Sequence, residues 1–202
     1  MPQLLILIGI PGSGKSTYAS KYKDLNFEYF SSDNIREELS GKKKIEQLQK
    51  EGKEITEENI KGVQDDQSVS REAFKKMFGR TIYSLIDEKN VIYDACNTQR
   101  HDRKSFIKKI RERYQKDDLK ITAVFFDIPL EICKERNQRR NKEGSIVMDN
   151  NKKLRKVQRQ VPEEVLDRMY QQLHGYPPTL EEGFDEIEII KYNKELDKNI
   201  IK

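Results

Sequence analysis

Eight residues near the start of the chain, Gly9-Ile10-Pro11-Gly12-Ser13-Gly14-Lys15-Ser16, fit G-x-x-x-x-G-K-[ST] at every defined position. The chemistry this spacing offers is anion binding. Glycines let the backbone wrap an anion and turn its N–H groups inward, and a helix N-terminus adds the positive end of its dipole. Gly9, Pro11, Gly12, Ser13, Gly14, Lys15, Ser16 and Thr17 would line a nucleotide's phosphates. Lys15 can reach the outer phosphates, and the Ser16 hydroxyl can ligate Mg²⁺. The motif does not say which acceptor is used, or whether any group is transferred.

Further along stands Ser31-Ser32-Asp33-Asn34-Ile35-Arg36. A helix N-cap accounts for Ser, Asp and Asn here, and Asp33 with Arg36 could be a surface pair one turn apart. Their place also suits chemistry. In an open parallel sheet, the loops after the strand C-termini border the ligand crevice. A carboxylate there could take a proton from an attacking hydroxyl, and an arginine one turn along could hold an anion of the acceptor. Asp94 closes the apolar run Val91-Ile92-Tyr93. It either caps a turn or, as a Walker B-type carboxylate, orients Mg²⁺, more readily through water than directly. Arg136, Arg139 and Arg140 crowd the end of one helical stretch. Cations suit a helix C-terminus, but arginines entering a lid could also neutralise phosphates. Arg136 and Arg140, four apart, would share a face.

The elements that would position these groups follow from hydrophobic patterning. Short apolar runs at 3–9, 27–30, 90–93, 120–126 and 186–190 read as buried parallel strands. Amphipathic stretches at 15–22, 33–39, 69–88, 103–114, 130–138 and 162–173 read as helices, with Pro162 suited to a first turn. Strands separated by helices specify an α/β fold with a central parallel sheet covered on both faces. The expected organisation is one domain over 1–202. It carries a polar insertion at 41–67 and an arginine-bearing lid at 139–160.

Composition narrows the class. The 202 residues suffice for a core without metal or disulfide staples. Charged residues make up 37%, against roughly 25% in an average soluble protein. A balance of 39 basic to 35 acidic residues, net +4, permits an anionic partner without demanding one. No apolar run approaches the roughly 20 residues of a membrane span. Leu4-Leu5-Ile6-Leu7-Ile8 lacks the basic leader and cleavage site of a signal peptide. Cys96 and Cys133 show no pairing or zinc spacing with His101 and His174, which suits reduced thiols in a cytoplasmic protein.

Taken together, these pieces resemble the P-loop kinase family of polynucleotide 5′-hydroxyl kinases of phage and bacterial nucleic-acid repair. The resemblance is carried by residues 4–17, Ser32-Asp33-x-x-Arg36, Tyr93-Asp94-Ala95-Cys96-Asn97, Phe126-Asp127-Ile128-Pro129, Arg136-Asn137-Gln138-Arg139-Arg140 and the Val161-Pro162 segment running to Met169. It implies a P-loop kinase fold, ATP as donor, Mg²⁺, and a single-stranded RNA or DNA acceptor with a 5′-OH, and it is compatible with self-association. It also implies that Asp33 is the general base, that Arg36 clamps the acceptor's neighbouring phosphate, and that Lys15 and Arg140 stabilise the transferring group. Two departures stand out. Residues 141–160 separate the arginines from Val161-Pro162 and bring Arg155 and Arg159, so Arg159 competes with Arg136 and Arg140 for the nucleotide. No phosphatase or ligase motif is expected after the kinase segment. The rival readings are a small-molecule or toxin-like sugar-nucleotide kinase, and a non-catalytic ATP-binding switch.

Overall fold

Five parallel strands form the centre of the computed structural model, which describes residues 1–56, 67–149, 151–157, 161–194 and 198–201. Strand β1 (Gln3–Ile8) leads through the glycine loop into helix α1 (Lys15–Ser20), then β2 (Phe27–Ser31) and α2 (Ser32–Lys50). Helix α3 (Ser70–Ile86), β3 (Asn90–Asp94), α4 (Arg100–Tyr114), β4 (Lys120–Asp127) and α5 (Leu130–Glu143) follow. A hairpin of β5 (Ser145–Met148) and β6 (Leu154–Val157) precedes α6 (Glu163–Gly175), β7 (Glu186–Asn193) and β8 (Lys198–Ile201).

The sheet order is β2-β3-β1-β4-β7-β8, with only β8 antiparallel to its neighbour. Leu4, Leu7, Ile8, Ile92, Ile121 and Val124 are fully buried. This explains the unbroken apolar runs: a strand covered by helices on both faces has no polar side to show.

Register sets the site. Leu7 of β1 and Ser31 of β2 both lie opposite Asp94 of β3, so the C-terminal ends of three strands stand level. The glycine loop, the start of α2 and the segment after β3 therefore open onto one crevice. The loop after β1 is fastened to the loop after β3 by the Gly9 N–H donating to the Cys96 carbonyl at 3.0 Å. The Asn97 amide also donates to Leu7 O at 2.7 Å.

Several elements differ from the sequence expectation. Helix α2 continues to Lys50 instead of ending at residue 39, so the first part of the polar insertion is helix. Its sparse apolar positions Ile35, Leu39 and Leu48 are buried, and Glu38 accepts from Lys76 at 2.8 Å and Arg80 at 3.0 Å on α3. Ion pairing thus anchors a helix whose hydrophobic stripe is thin. Of the insertion's remainder, residues 57–66 lie outside the described residues. Helix α5 runs to Glu143 instead of 138, so all three arginines are helical. The polar stretch after it forms the β5–β6 hairpin. Asp149 caps the hairpin turn, its Oδ1 accepting from the Asn151 and Lys153 N–H groups at 2.8 and 2.9 Å. Among the described residues, no helix is long and apolar enough to cross a membrane.

Candidate active site

The glycine loop is shaped by what its missing side chains would strike. A Cβ on Gly9 would lie 2.6 Å from Ser13 Oγ and 2.9 Å from Phe126 Cβ. Gly12 has φ +85° and backs onto the start of α5, where a Cβ would meet the Cys133 carbonyl oxygen at 2.4 Å. Gly14 takes φ 99° as the α1 N-cap and gives that helix no side-chain cap. The first-turn N–H groups are thus left to the crevice, which fits a phosphate-bearing ligand. The Lys15 ammonium donates to Gly9 O at 2.8 Å and Ile10 O at 3.1 Å, across the mouth of the loop. Ser16 and Thr17 line the same cleft.

Opposite the loop, α2 begins directly after β2. Asp33 and Arg36 form an ion pair on its first turn, with Arg36 the more covered of the two. The surface-pair reading is therefore physically present, but the pair lines the cleft and does not lie on an outer face. Asp94 is buried at the end of β3 and accepts a hydrogen bond from Tyr29 Oη at 2.7 Å. Burial pushes the Asp94 carboxyl above its ordinary range, while Lys15, the Tyr29 hydroxyl and Arg140 oppose that rise and Asp33 adds to it. Burial likewise holds Tyr29 well above its usual value, so it stays a donor. Cys96 lies in the same field, and burial raises its thiol too, against Lys15 and Arg36. A thiol kept protonated is no nucleophile.

These mutual influences show which expected residues are brought together: Lys15, Asp33, Arg36, Asp94 and Arg140 share one electrostatic neighbourhood. Arg136 lines the same cleft. Its guanidinium lies 5.4 Å from the Tyr192 ring centroid on β7, in cation–π geometry. Arg139 and Arg140 line the cleft. Arg159 lies outside the described residues. Among the described residues, no group of three or more His, Cys, Asp or Glu could hold a metal ion. Mg²⁺ would have the Ser16 hydroxyl, water oriented by Asp94, and the nucleotide's own oxygens as ligands.

Three structural supports were not foreseen. Asn137 is 1% exposed. Its Nδ2 donates to Val161 O at 2.8 Å, and its Oδ1 accepts from Val161 N at 3.1 Å. This two-way clasp joins the ends of the hairpin excursion. Asn34 of α2 donates to Met148 O at 2.8 Å, which seats β5 above the Asp33 turn. Arg103 is 3% exposed and donates to both carboxylate oxygens of Glu182 at 2.7 Å. It also reaches Asn97 O at 3.2 Å, Thr98 O at 3.1 Å and Tyr176 O at 2.8 Å. That network fixes the loop that follows Asp94. The Asn137-Gln138 neighbours of the arginines held a signal for the clasp, but nothing in sequence pairs Arg103 with a carboxylate 79 positions away.

The crevice is large, about 2290 Å³, and extends from the glycine loop past Asp33 and on between α3 and α4.

Comparison with known proteins places this architecture. A family described as an AAA domain matches residues 4–175. No curated protein matches the sequence. Among solved structures, a candidate kinase from Chloroflexus aurantiacus j-10-fl superposes with a TM-score of 0.60 at 12% identity, over 98% of this chain and 91% of that one. A fungal RNA kinase gives 0.53 at 16% identity, over 96% of this chain and 75% of that one. A chain of a Pnkp1/Rnl/Hen1 complex is 26% identical over 67% of this chain, with a TM-score of 0.44. The present chain spans 38% of that protein's length. A gluconokinase from Sinorhizobium meliloti 1021 and the PezAT toxin–antitoxin system of Streptococcus pneumoniae also occur among the matches.

Proposed function

The chain belongs to the AAA domain family, and on that premise we propose that it is an ATP-dependent kinase of 5′-hydroxyl polynucleotide ends. The fold relatives include kinases with different acceptors, so the acceptor is inferred from the site residues. The observation that carries the reading is the Asp33–Arg36 pair on the first turn of α2, in one cleft with the glycine loop and Asp94.

In this reading the acceptor's terminal 5′-OH lies against Asp33, and the phosphate on its 3′ side takes Arg36. The arginine then exchanges part of its contact with Asp33 for the incoming phosphate, which frees a carboxylate oxygen to accept the hydroxyl proton. The oxygen attacks the γ-phosphorus in line. The new O–P bond forms as the bond to the β,γ-bridging oxygen breaks, and ADP leaves with that electron pair. Lys15, released from the Gly9 and Ile10 carbonyls, and Arg140 neutralise charge on the equatorial oxygens. Ser16 would hold Mg²⁺, with Asp94 orienting its water, and the metal would draw charge from the phosphates. Arg136, over the Tyr192 ring and on the cleft wall, would contact the donor nucleotide, and Arg159 keeps the reserve role its position before Val161-Pro162 suggests.

The ion pair also favours one rival. If Arg36 only holds Asp33, no internucleotide phosphate is needed and a small molecule becomes the acceptor. Transfer of labelled γ-phosphate from ATP to a panel of 5′-OH oligonucleotides, nucleosides and sugars tests both. Label on the oligonucleotides is expected. Label only on a sugar or a free nucleoside would overturn the polynucleotide assignment.

A further inference from the structure

Beyond Asp33 and Arg36 the cleft continues into a groove between α3 and α4 that the transfer chemistry does not use. We infer that this groove is a binding track for the single-stranded body of the acceptor, downstream of its 5′ end. The inference rests on the polynucleotide reading above.

The α3 wall is one helical stripe. Positions 71, 74, 75, 78, 79, 82, 83 and 86 all line the cleft at three- and four-residue spacing. At 1.5 Å rise per residue the stripe is about 22 Å long, room for several nucleotides. The α4 wall repeats the pattern at 102, 105, 106, 109 and 113. Phe78 and Phe106 meet edge to face on the floor, with centroids 6.0 Å apart, and Tyr93 packs beneath Phe106 at 4.3 Å.

Two features select the occupant. The first is charge. Arg71 and Lys75 on α3, and Lys109 and Arg113 on α4, are exposed and form no ion pair among the described residues. Asp102 is the carboxylate on the α4 wall. The second is apolar exposure. Tyr83 is 75% exposed, Phe74 40% and Ile86 48%, an apolar display along one stripe of the groove that a stacked partner would cover. Cations interleaved with exposed rings suit a phosphate backbone whose bases stack on the rings, without sequence preference.

Gly79 adds an independent mark. It sits inside α3, where glycine costs about 1 kcal/mol of helix stability relative to alanine. A Cβ there would meet nothing within 4 Å. Packing does not require the glycine, whereas a side chain would project into the groove. Its absence keeps the track clear.

The test compares acceptors of two lengths, a 5′-OH dinucleotide and a dodecanucleotide, in transfer kinetics. Fluorescence anisotropy follows the dodecanucleotide, labelled at its 3′ end, across a salt series. Lys109→Ala/Arg113→Ala, Tyr83→Ala and Gly79→Trp are all at exposed or open positions. Each should weaken dodecanucleotide binding by about fivefold or more, the scale of one lost stacking or phosphate contact. The double variant should also flatten the salt slope by about 0.7 for each phosphate contact removed. Dinucleotide transfer should keep its wild-type rate in all three. If the dinucleotide is phosphorylated but the variants handle the longer strand as wild type does, the track is refuted and the kinase reading stands. If the wild type binds the dodecanucleotide through the groove but transfers nothing to either, the track stands and the kinase reading falls. A wild-type chain that does not bind the dodecanucleotide refutes the track.

Discussion

The clasp between Asn137 and Val161 makes a sharp prediction because its two bonds are separable. Asn137→Leu keeps the volume and removes both partners of the Val161 backbone. Each net hydrogen bond is worth about 1 kcal/mol, and a buried polar group left unpaired costs about 1–3 kcal/mol. Val161 is half-buried, so water can reach part of its backbone and the lower end applies. The loss should be about 2–3 kcal/mol. In a chain of this size, each kcal/mol moves Tm by about 2–4 °C, so the variant should melt about 5–10 °C lower in calorimetry. Asn137→Asp divides the effect. Its carboxylate still accepts from Val161 N but has no hydrogen to offer Val161 O, and two acceptors then face each other. Protonation restores the donor. The carboxyl is thus held above its ordinary range in the folded protein, and its stability contribution is present at acid pH and lost as pH rises through the folded value. The Asp variant should therefore approach wild-type stability as pH falls, and the Leu variant should not. A Leu variant melting within about 1 °C of wild type, or an Asp variant whose deficit ignores pH, would refute the reasoning.

Other outcomes follow from the same geometry. Lys15→Ala should lose more than tenfold in transfer, about 1.4 kcal/mol, while staying folded, because it gives up only two contacts to loop carbonyls; single-turnover kinetics and a melting curve check both halves. Asp33→Asn should slow the chemical step with ATP affinity unchanged, and Arg36→Ala should hurt oligonucleotide acceptors more than nucleosides, read as separate kcat and KM effects; normal turnover by both would leave the pair a surface feature. Asp94→Asn should raise Tm at neutral pH, because burial lifts that carboxyl and its ionised form opposes folding; the gain should shrink as pH falls through the carboxylate range, and transfer should be impaired throughout. Arg103→Met should destabilise by about 3–5 kcal/mol by stranding Glu182, and the double change Arg103→Met/Glu182→Leu should recover part of that in denaturant titrations.

Much of the site was legible because it is local. The glycine loop announces itself within eight residues, and β1, β3 and β4 are the apolar runs that suit a sheet covered on both faces. Asp33 and Arg36 stand out by spacing and Asp94 by its place at a strand end, and all three line one cleft. What escaped the sequence is long-range or thinly patterned. Helix α2 hides its length because its anchor is Glu38 reaching to α3, not a broad apolar stripe. The β5–β6 hairpin reads as polar loop, although Ser145-Ile146-Val147-Met148 carries a short β-prone run. Arg136 shares a helical face with Arg140, yet it stacks on Tyr192. That ring lies past the expected end of β7 at residue 190, so no spacing rule could reveal it.

Gly12 and Cys133 have a mechanical consequence. The donor loop rests directly against the backbone of the helix that carries the arginines, with no side chain between to yield. The base of α5 and the loop must then move as one piece. That contact ends well before Gly144, which closes α5 at φ 76° where the chain turns into the hairpin. Grafting a relative's hairpin onto this scaffold should therefore succeed with seams at Gly144 and just before Val161, leaving Asn137 in place. A seam before Cys133 would import a foreign wall for the glycine loop along with the new hairpin, and nucleotide binding would change with it.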